Sequence, residues 1–360
     1  MLSSNEVVIA SAGAGKTRRL VDEALSDPTS RVLIVTYTRK NFDELESRLW
    51  NATRGAKHGV RILTWFEFLL RECIKPYQSF KTTILSIKSI NFDGKRLRYA
   101  RKARFGEFYA DSQNNLYQDS VSDLACALDN TSEGMVIGRL SECYDAIFID
   151  ELQDLAGPDL DFLEKLFASE MRILCVGDPR QSVYVTNTSA RNKQFRRTDL
   201  LAWIDAKKKT YSLEVSEQTV NFRCNQAICD FADRLYPEYP RTLSENVTQV
   251  AAFGVHLVAE ADLASYREAF SPQELRYDRK SKSAPISALN MGEVKGMAFD
   301  RVLIHPTSTM VDAIMRGVEL SPVTRAKFYV AVTRARHSVG IVCSESASGE
   351  GLSYWIVPST

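Results

Sequence analysis

Lys16 and Thr17 end the stretch Ala10-Ser11-Ala12-Gly13-Ala14-Gly15-Lys16-Thr17. It lies between an apolar run, Val7-Val8-Ile9, and a helix-like segment, Arg18 to Leu25. Gly13 and Gly15 allow the backbone to curl so that its N–H groups, with that of Ala14, face a phosphate. The following helix N-terminus adds partial positive charge at the same point. Lys16 can reach β- and γ-phosphates, and the Thr17 hydroxyl can ligate Mg²⁺. Ala10 stands where the strict pattern has Gly. A glycine-rich turn before a helix is the bland alternative. The strand-loop-helix context favours phosphate binding.

Asp150 and Glu151 form the second chemical pair, emerging from the apolar run Ala146-Ile147-Phe148-Ile149. Asp150 is placed to complete a Mg²⁺ shell with Thr17. Glu151 is placed to orient and activate water. With the upstream loop, the pair describes a P-loop NTPase. Downstream, Ile173 to Gly177 leads into Asp178 and Gln181, suited to sensing a γ-phosphate. Arg223 and Arg334 lie in a half without its own phosphate loop, as arginine fingers do. Taken singly, each also reads as a surface ion pair.

Short β-branched runs separated by helical segments must position these groups. They are Val7–Ala10, Val32–Tyr37, Val60–Thr64, Ala146–Asp150, Ile173–Gly177, Val302–His305 and Val339–Cys343. This alternation predicts an α/β protein with parallel sheets covered on both faces. A helix is expected over Asn225–Leu235, and turn-rich loops over Pro237–Pro240 and Glu268–Pro285. A length of 360 residues suggests two lobes, and the polar connection after Lys207-Lys208-Lys209 puts their boundary at about Tyr211 to Gln218. At the strand ends, Thr36-Tyr37-Thr38-Arg39-Lys40 and Thr64-Trp65-Phe66 read either as helix caps and core or as a strand-binding edge. Lys81 to Arg104 carries eight Lys or Arg and one acidic residue, Asp93, with aromatic residues interleaved. That pattern suits phosphate and base contacts as well as it suits a solvated face.

Hydrophobic residues are 44% and charged residues 25%, ordinary for a globular chain with a sizeable core. The net charge of +1 excludes a global basic field, so a nucleic-acid surface must be local. The seven cysteines include no C-x-x-C pair and read as reduced thiols in a cytoplasmic protein. No apolar run reaches the ~18 residues of a membrane span, and no membrane partner is expected.

The ordered set ASAGAGKT, TYTRKNF, ILTWFEF, FIDELQDL, VGDPRQSVY, NFR, GEVKGMAFD and YVAVTRAR resembles the UvrD/Rep-like branch of superfamily 1 DNA helicases. The resemblance covers most of the chain. It implies two RecA-like lobes, 1–213 and 214–360, binding ATP and Mg²⁺, with single-stranded DNA across them and 3′ to 5′ polarity. It implies Gln153 and Gln181 at the water and γ-phosphate, Phe222 stacked on adenine, and Arg223 and Arg334 on the γ-phosphate. Around Tyr37, Arg39, Thr64, Trp65 and Lys295 it implies a strand path. The first helicase insertion is reduced to about residues 75–125, and the second is missing between Arg223 and Gly292. Thr186 replaces a base-stacking Trp, and Ala298 a ribose-contacting Glu. The leading function is a DNA-dependent ATPase that translocates or unwinds. The alternative is a DNA-sensing regulatory subunit beside a nuclease partner, as in Gabija-type antiviral systems, whose helicase-like subunits are compact in the same way. A small-molecule kinase would leave the second-half arginines without a role.

Overall fold

The computed structural model describes residues 5–56, 58–83, 86–97, 99–184, 186–187, 189–248, 250–281, 283–344 and 352–357. The chain divides into two compact units. The first comprises Met1–Ile9, Lys16–Pro179 and Val185–Ser216. The second comprises Ala10–Gly15, Arg180–Tyr184 and Glu217–Thr360.

The first unit is built on strands β1 (Glu6–Ala10), β2 (Val32–Thr36), β3 (Val60–Thr64), β6 (Ala146–Ile149), β7 (Arg172–Gly177) and β8 (Glu214–Gln218). Their order is β3-β2-β6-β7-β1-β8, and the first five run parallel. β2 and β6 are buried along their whole length, as continuous apolar strands between helices must be. Helix α1 (Lys16–Ala24) follows β1, and α2 (Arg39–Thr53) follows β2. The short helix α3 (Trp65–Phe68) starts directly from β3. Thr38 caps α2, its hydroxyl accepting from the Asn41 amide. Thr64 and Glu67 close a capping box on α3.

Within residues 75–125 lie two-residue strands, β4 (Ile90–Asn91) and β5 (Leu116–Tyr117), paired with each other. A helix over Val121–Thr131 then packs on the helix Pro158–Phe167. Asp159 joins these elements. Its carboxylate accepts from Trp65 Nε1 at 3.0 Å, from the Ala156 amide at 3.2 Å, and from the Ser122 and Thr186 hydroxyls. Burial pushes this carboxyl above the ordinary range, against the pull of those donors.

In the second unit, β9 (Val220–Asn221) pairs with β10 (Leu243–Ser244). The main sheet is all parallel in the order β11-β15-β14-β12-β13. These strands are β11 (Gly254–Ala259), β12 (Gln273–Arg276), β13 (Leu289–Asn290), β14 (Phe299–His305) and β15 (Ala335–Cys343). The helices Gln226–Arg234 and Pro322–Val332 contribute Ile228, Phe231, Phe328 and Tyr329 to a core shared with Val302, Val339 and Ile341. Asn225 and Ser321 cap the two helices, and Pro322 sits at the first helical turn, where its missing N–H costs nothing. The expected loop over Glu268–Pro285 is corrected: it contains β12, whose single fully buried side chain, Leu275, leaves a polar sequence.

All seven cysteines are free. Among the described residues no helix is long and apolar enough to cross a membrane.

Candidate functional site

In the first unit the candidate carboxylates gather at the C-terminal edge of the sheet. The Asp150 amide continues the ladder by donating to Val35 O at 2.8 Å, which fixes where β6 ends. Thr36 Oγ1 donates to Asp150 Oδ2 at 3.3 Å. Asp150 Oδ1 in turn accepts from the Glu151 amide at 3.0 Å.

Glu151 is left-handed, at φ 56° and ψ 45°. A non-glycine residue in this region costs roughly 1–2 kcal/mol. The bonds on either side offset the strain, since the Asp154 amide donates back to Glu151 O at 2.9 Å. The turn holds the Glu151 carboxylate against Gln153, whose Nε2 donates to Oε2, and against Asn41 Nδ2, 3.5 Å from Oε1. Gln153 Oε1 accepts from the Asp178 amide at 2.8 Å. A Cβ on Gly177 would sit 2.7 Å from that oxygen, so the glycine at the end of β7 is what admits Gln153. Asp150, Glu151, Gln153 and Asp178 are all buried. Lys16 and Thr17 form the first turn of α1 in this unit, partly buried.

Two carboxylates at the end of a buried strand, one with a hydroxyl donor, form a hard oxygen set. Thr17 and Asp150 are residues that could hold Mg²⁺. An adjacent amide keeps Glu151 oriented.

The second unit holds the loop 10–15 and its partners. Gly13 and Gly15 both take φ +78°. Asn221 is the hub. Its Nδ2 donates to Ala12 O at 2.6 Å, and its Oδ1 accepts from the Arg223 and Cys224 amides at 2.7 and 2.8 Å. The Phe222 amide donates to Gly13 O at 3.0 Å. A Cβ on Gly13 would lie 2.6 Å from Asn221 Oδ1, so close approach as well as φ demands glycine. Gln218 Nε2 donates to Ala14 O at 2.6 Å. The Phe222 ring lies beside Gly15 and is 57% exposed, a face open to stacking.

The sequence pattern singles out Phe222 and Arg223 but not Asn221. Its position two residues before an arginine in a polar turn is the only signal. Asn221→Ala should lower stability by about 2 kcal/mol or more, because three backbone groups, two of them buried, lose their partner. Urea denaturation checks this, and an unchanged midpoint would show that Asn221 clamps nothing.

Arg334 follows the helix Pro322–Val332 and precedes β15. It is 2% exposed. Its guanidinium donates to Val330 O (Nε, 3.0 Å), Met297 O (Nη1, 3.2 Å), Thr333 Oγ1 and Gln181 Oε1 (Nη2, both 3.1 Å). Arg223 Nη1 donates to Thr333 O at 3.3 Å, so both arginines converge on Thr333. Neither is a surface ion pair. Burial pushes the neighbouring Cys224 thiol above its ordinary value, against the pull of both arginines.

Of the expected strand contacts, Tyr37 is partly buried beside Phe66. Arg39 is exposed, pairs with Asp43 at 3.2 Å and lies over the Phe42 ring. Thr64 is occupied as a helix cap, and Lys295 is 6% exposed. Trp65 requires a correction. Its ring packs against Phe68 and Phe162, its N–H is bound to Asp159, and it is 1% exposed, so it offers no face to a base. In the basic stretch, Arg96 lies over Phe108 and bonds Ser120, and Lys102 pairs with Asp123. Arg98 lies outside the described residues.

Residues 1–187 match a family model described as an AAA domain, and residues 101–343 match one described as the viral superfamily 1 RNA helicase core domain. Among solved structures, the arterivirus nonstructural protein 10 helicase is similar at 15% identity and TM-score 0.48, over 94% of this chain and 59% of that one. The complex of the arterivirus helicase with DNA gives 15% identity and TM-score 0.49, over 95% and 61%. The chain spans about three fifths of the length of these structures. No curated protein matches the chain.

Proposed function

We propose, from the premise that this chain belongs to the superfamily 1 helicases, that it is an ATPase driven by single-stranded DNA, working in the cytoplasm as a 3′ to 5′ translocase or helicase of UvrD/Rep type. The observation that carries the reading is the set of bonds made by Asn221. They tie the Ala12-Gly13 backbone and Arg223 to one side chain, so the phosphate cradle and the arginine beside it move as one body.

In this reading the amides of Gly13, Ala14 and Gly15 hold phosphate oxygens, and Lys16 adds a fixed cation. Thr17 and Asp150 would hold Mg²⁺, which when bound would supply positive charge to the phosphates. Glu151 takes the proton of the attacking water at its carboxylate. Gln153 keeps that carboxylate aimed. Arg223 and Arg334 meet charge developing on the γ-phosphate, with Gln181 reporting it to Arg334 through their shared hydrogen bond. Phe222 supplies a stacking face for the base. We assign the hydrolytic carboxylates to a lobe over 1–213 and the arginines to one over 214–360. Tyr37, Arg39, Thr64 and Lys295 belong to the strand path, with Trp65 supporting it from the core.

One observation favours a second reading, DNA sensing beside a nuclease with little unwinding, as in a Gabija-type antiviral complex. Thr186, where the UvrD/Rep pattern has a stacking Trp, is 1% exposed and bonded to Asp159.

The test is steady-state ATP hydrolysis with and without single-stranded DNA, beside single-stranded RNA, with strand displacement measured in parallel. Hydrolysis raised by DNA is expected. Hydrolysis without displacement supports the second reading. No hydrolysis under any condition would overturn both.

A further inference from the structure

The geometry points to Phe92, in the reduced insertion, as a stacking platform for a base of a bound single strand. The inference rests on the nucleic-acid reading above and names a contact within it.

Three rings run outward from the sheet edge. Parallel pairing of β2 and β3 sets Thr36 beside Thr64, and Tyr37 and Phe66 follow these strand ends. The Tyr37 and Phe66 ring centroids are 6.0 Å apart. The Phe66 ring then meets Phe92 edge-on at 5.4 Å and 79°. Phe66 is buried, but Phe92 is 58% exposed, so the row ends in an open face.

That face is held rigidly. Asn91 Oδ1 accepts from the Asp93 and Gly94 amides at 3.2 and 2.7 Å, closing a turn around Phe92. Asn91 Nδ2 donates to Asp111 Oδ2 at 2.9 Å, and Asp111 also takes the Gln113 and Asn115 amides. Hydrogen bonds, the Asn115 amide foremost and then the Asn91 side chain, hold the Asp111 carboxyl below its usual range against the effect of burial. An exposed ring fixed in place loses little side-chain freedom when a base stacks on it.

Charge selects the occupant. Lys81, Lys88, Lys95 and Arg101 of the same segment are exposed, and among the described residues none has a carboxylate partner. Arg96, Lys102 and Arg104 are already engaged inside the insertion. An open ring in a segment that carries uncompensated cations and, next to the ring, one exposed acid, Asp93, fits a polyanion with a planar base.

The experiment is fluorescence anisotropy of a labelled oligothymidylate with the whole chain across a salt series. Phe92→Ala should weaken binding roughly 5- to 150-fold, the range for one lost base stack, with the slope of log K against log salt unchanged. Phe92→Trp should restore it, which a merely misfolded insertion would not allow. Lys88→Gln and Lys95→Gln should each lower that slope by about 0.7. Unaltered affinity in Phe92→Ala, with the wild type binding, overturns the inference alone and leaves the ring to a protein partner. Failure of the wild type to bind overturns the nucleic-acid reading as well.

Discussion

Arg334→Ala should lower ATP turnover by roughly 10³–10⁵-fold while leaving nucleotide affinity close to wild type. An interaction made mainly in the transition state moves turnover and not binding. The guanidinium is well suited to that role, because four hydrogen bonds hold it before any charge develops. Two of them go to backbone carbonyls, Val330 O and Met297 O, so the alanine also strips buried acceptors. A denaturation midpoint must therefore accompany the kinetics. Arg334→Lys separates the effects further: it keeps the charge but loses the fork that reaches Val330, Met297 and Gln181 together. Normal turnover at saturating ATP with collapsed affinity would make Arg334 a ground-state binder.

Glu151→Gln should slow the chemical step by ~10²–10⁴-fold and still bind ATP. The substitution is close to isosteric in this setting. A glutamine at 151 can accept from Gln153 through its carbonyl oxygen, and the left-handed backbone strains both residues equally. What is lost is the capacity to take a proton. Single-turnover hydrolysis beside nucleotide binding checks it. A wild-type rate would remove Glu151 from the mechanism.

Most of the strands that position the candidate site were legible because they read as apolar runs with a buried centre. The strands β1, β2, β3, β6, β7, β14 and β15 each overlap an expected run, with ends shifted by at most a few residues. β8 (Glu-Val-Ser-Glu-Gln) and β12 (Gln-Glu-Leu-Arg) were not, since strands with so little buried surface leave a polar pattern. Within the site, residue types announced Asp150, Glu151 and the two arginines. Nothing in the one-dimensional pattern announced the left-handed turn at Glu151 or the clamp at Asn221, because both are set by backbone groups and not by side-chain type. Trp65 shows the opposite error. An aromatic at a strand end suits a base as well as a core, and only the buried Asp159 acceptor decided between them.

The loop Ala10–Gly15 and the segment Arg180–Tyr184 both pack within the second unit, although most of that unit lies after residue 216. During synthesis these residues leave the ribosome long before their partners. Asn221 must be made before Ala12 O is capped. Arg334 must be made before Gln181 Oε1 has its donor, and Gly292 before the Tyr184 hydroxyl, which donates to its carbonyl at 2.8 Å. Closing such distant pairs carries a loop entropy that only late, cooperative packing of the second unit can offset. A nascent or truncated chain therefore has the phosphate-loop residues without the bonds that hold them. The same interleaving means that a cut near residue 216 does not yield an intact second unit. It leaves Asn221 and Arg334 without acceptors supplied from earlier in the chain.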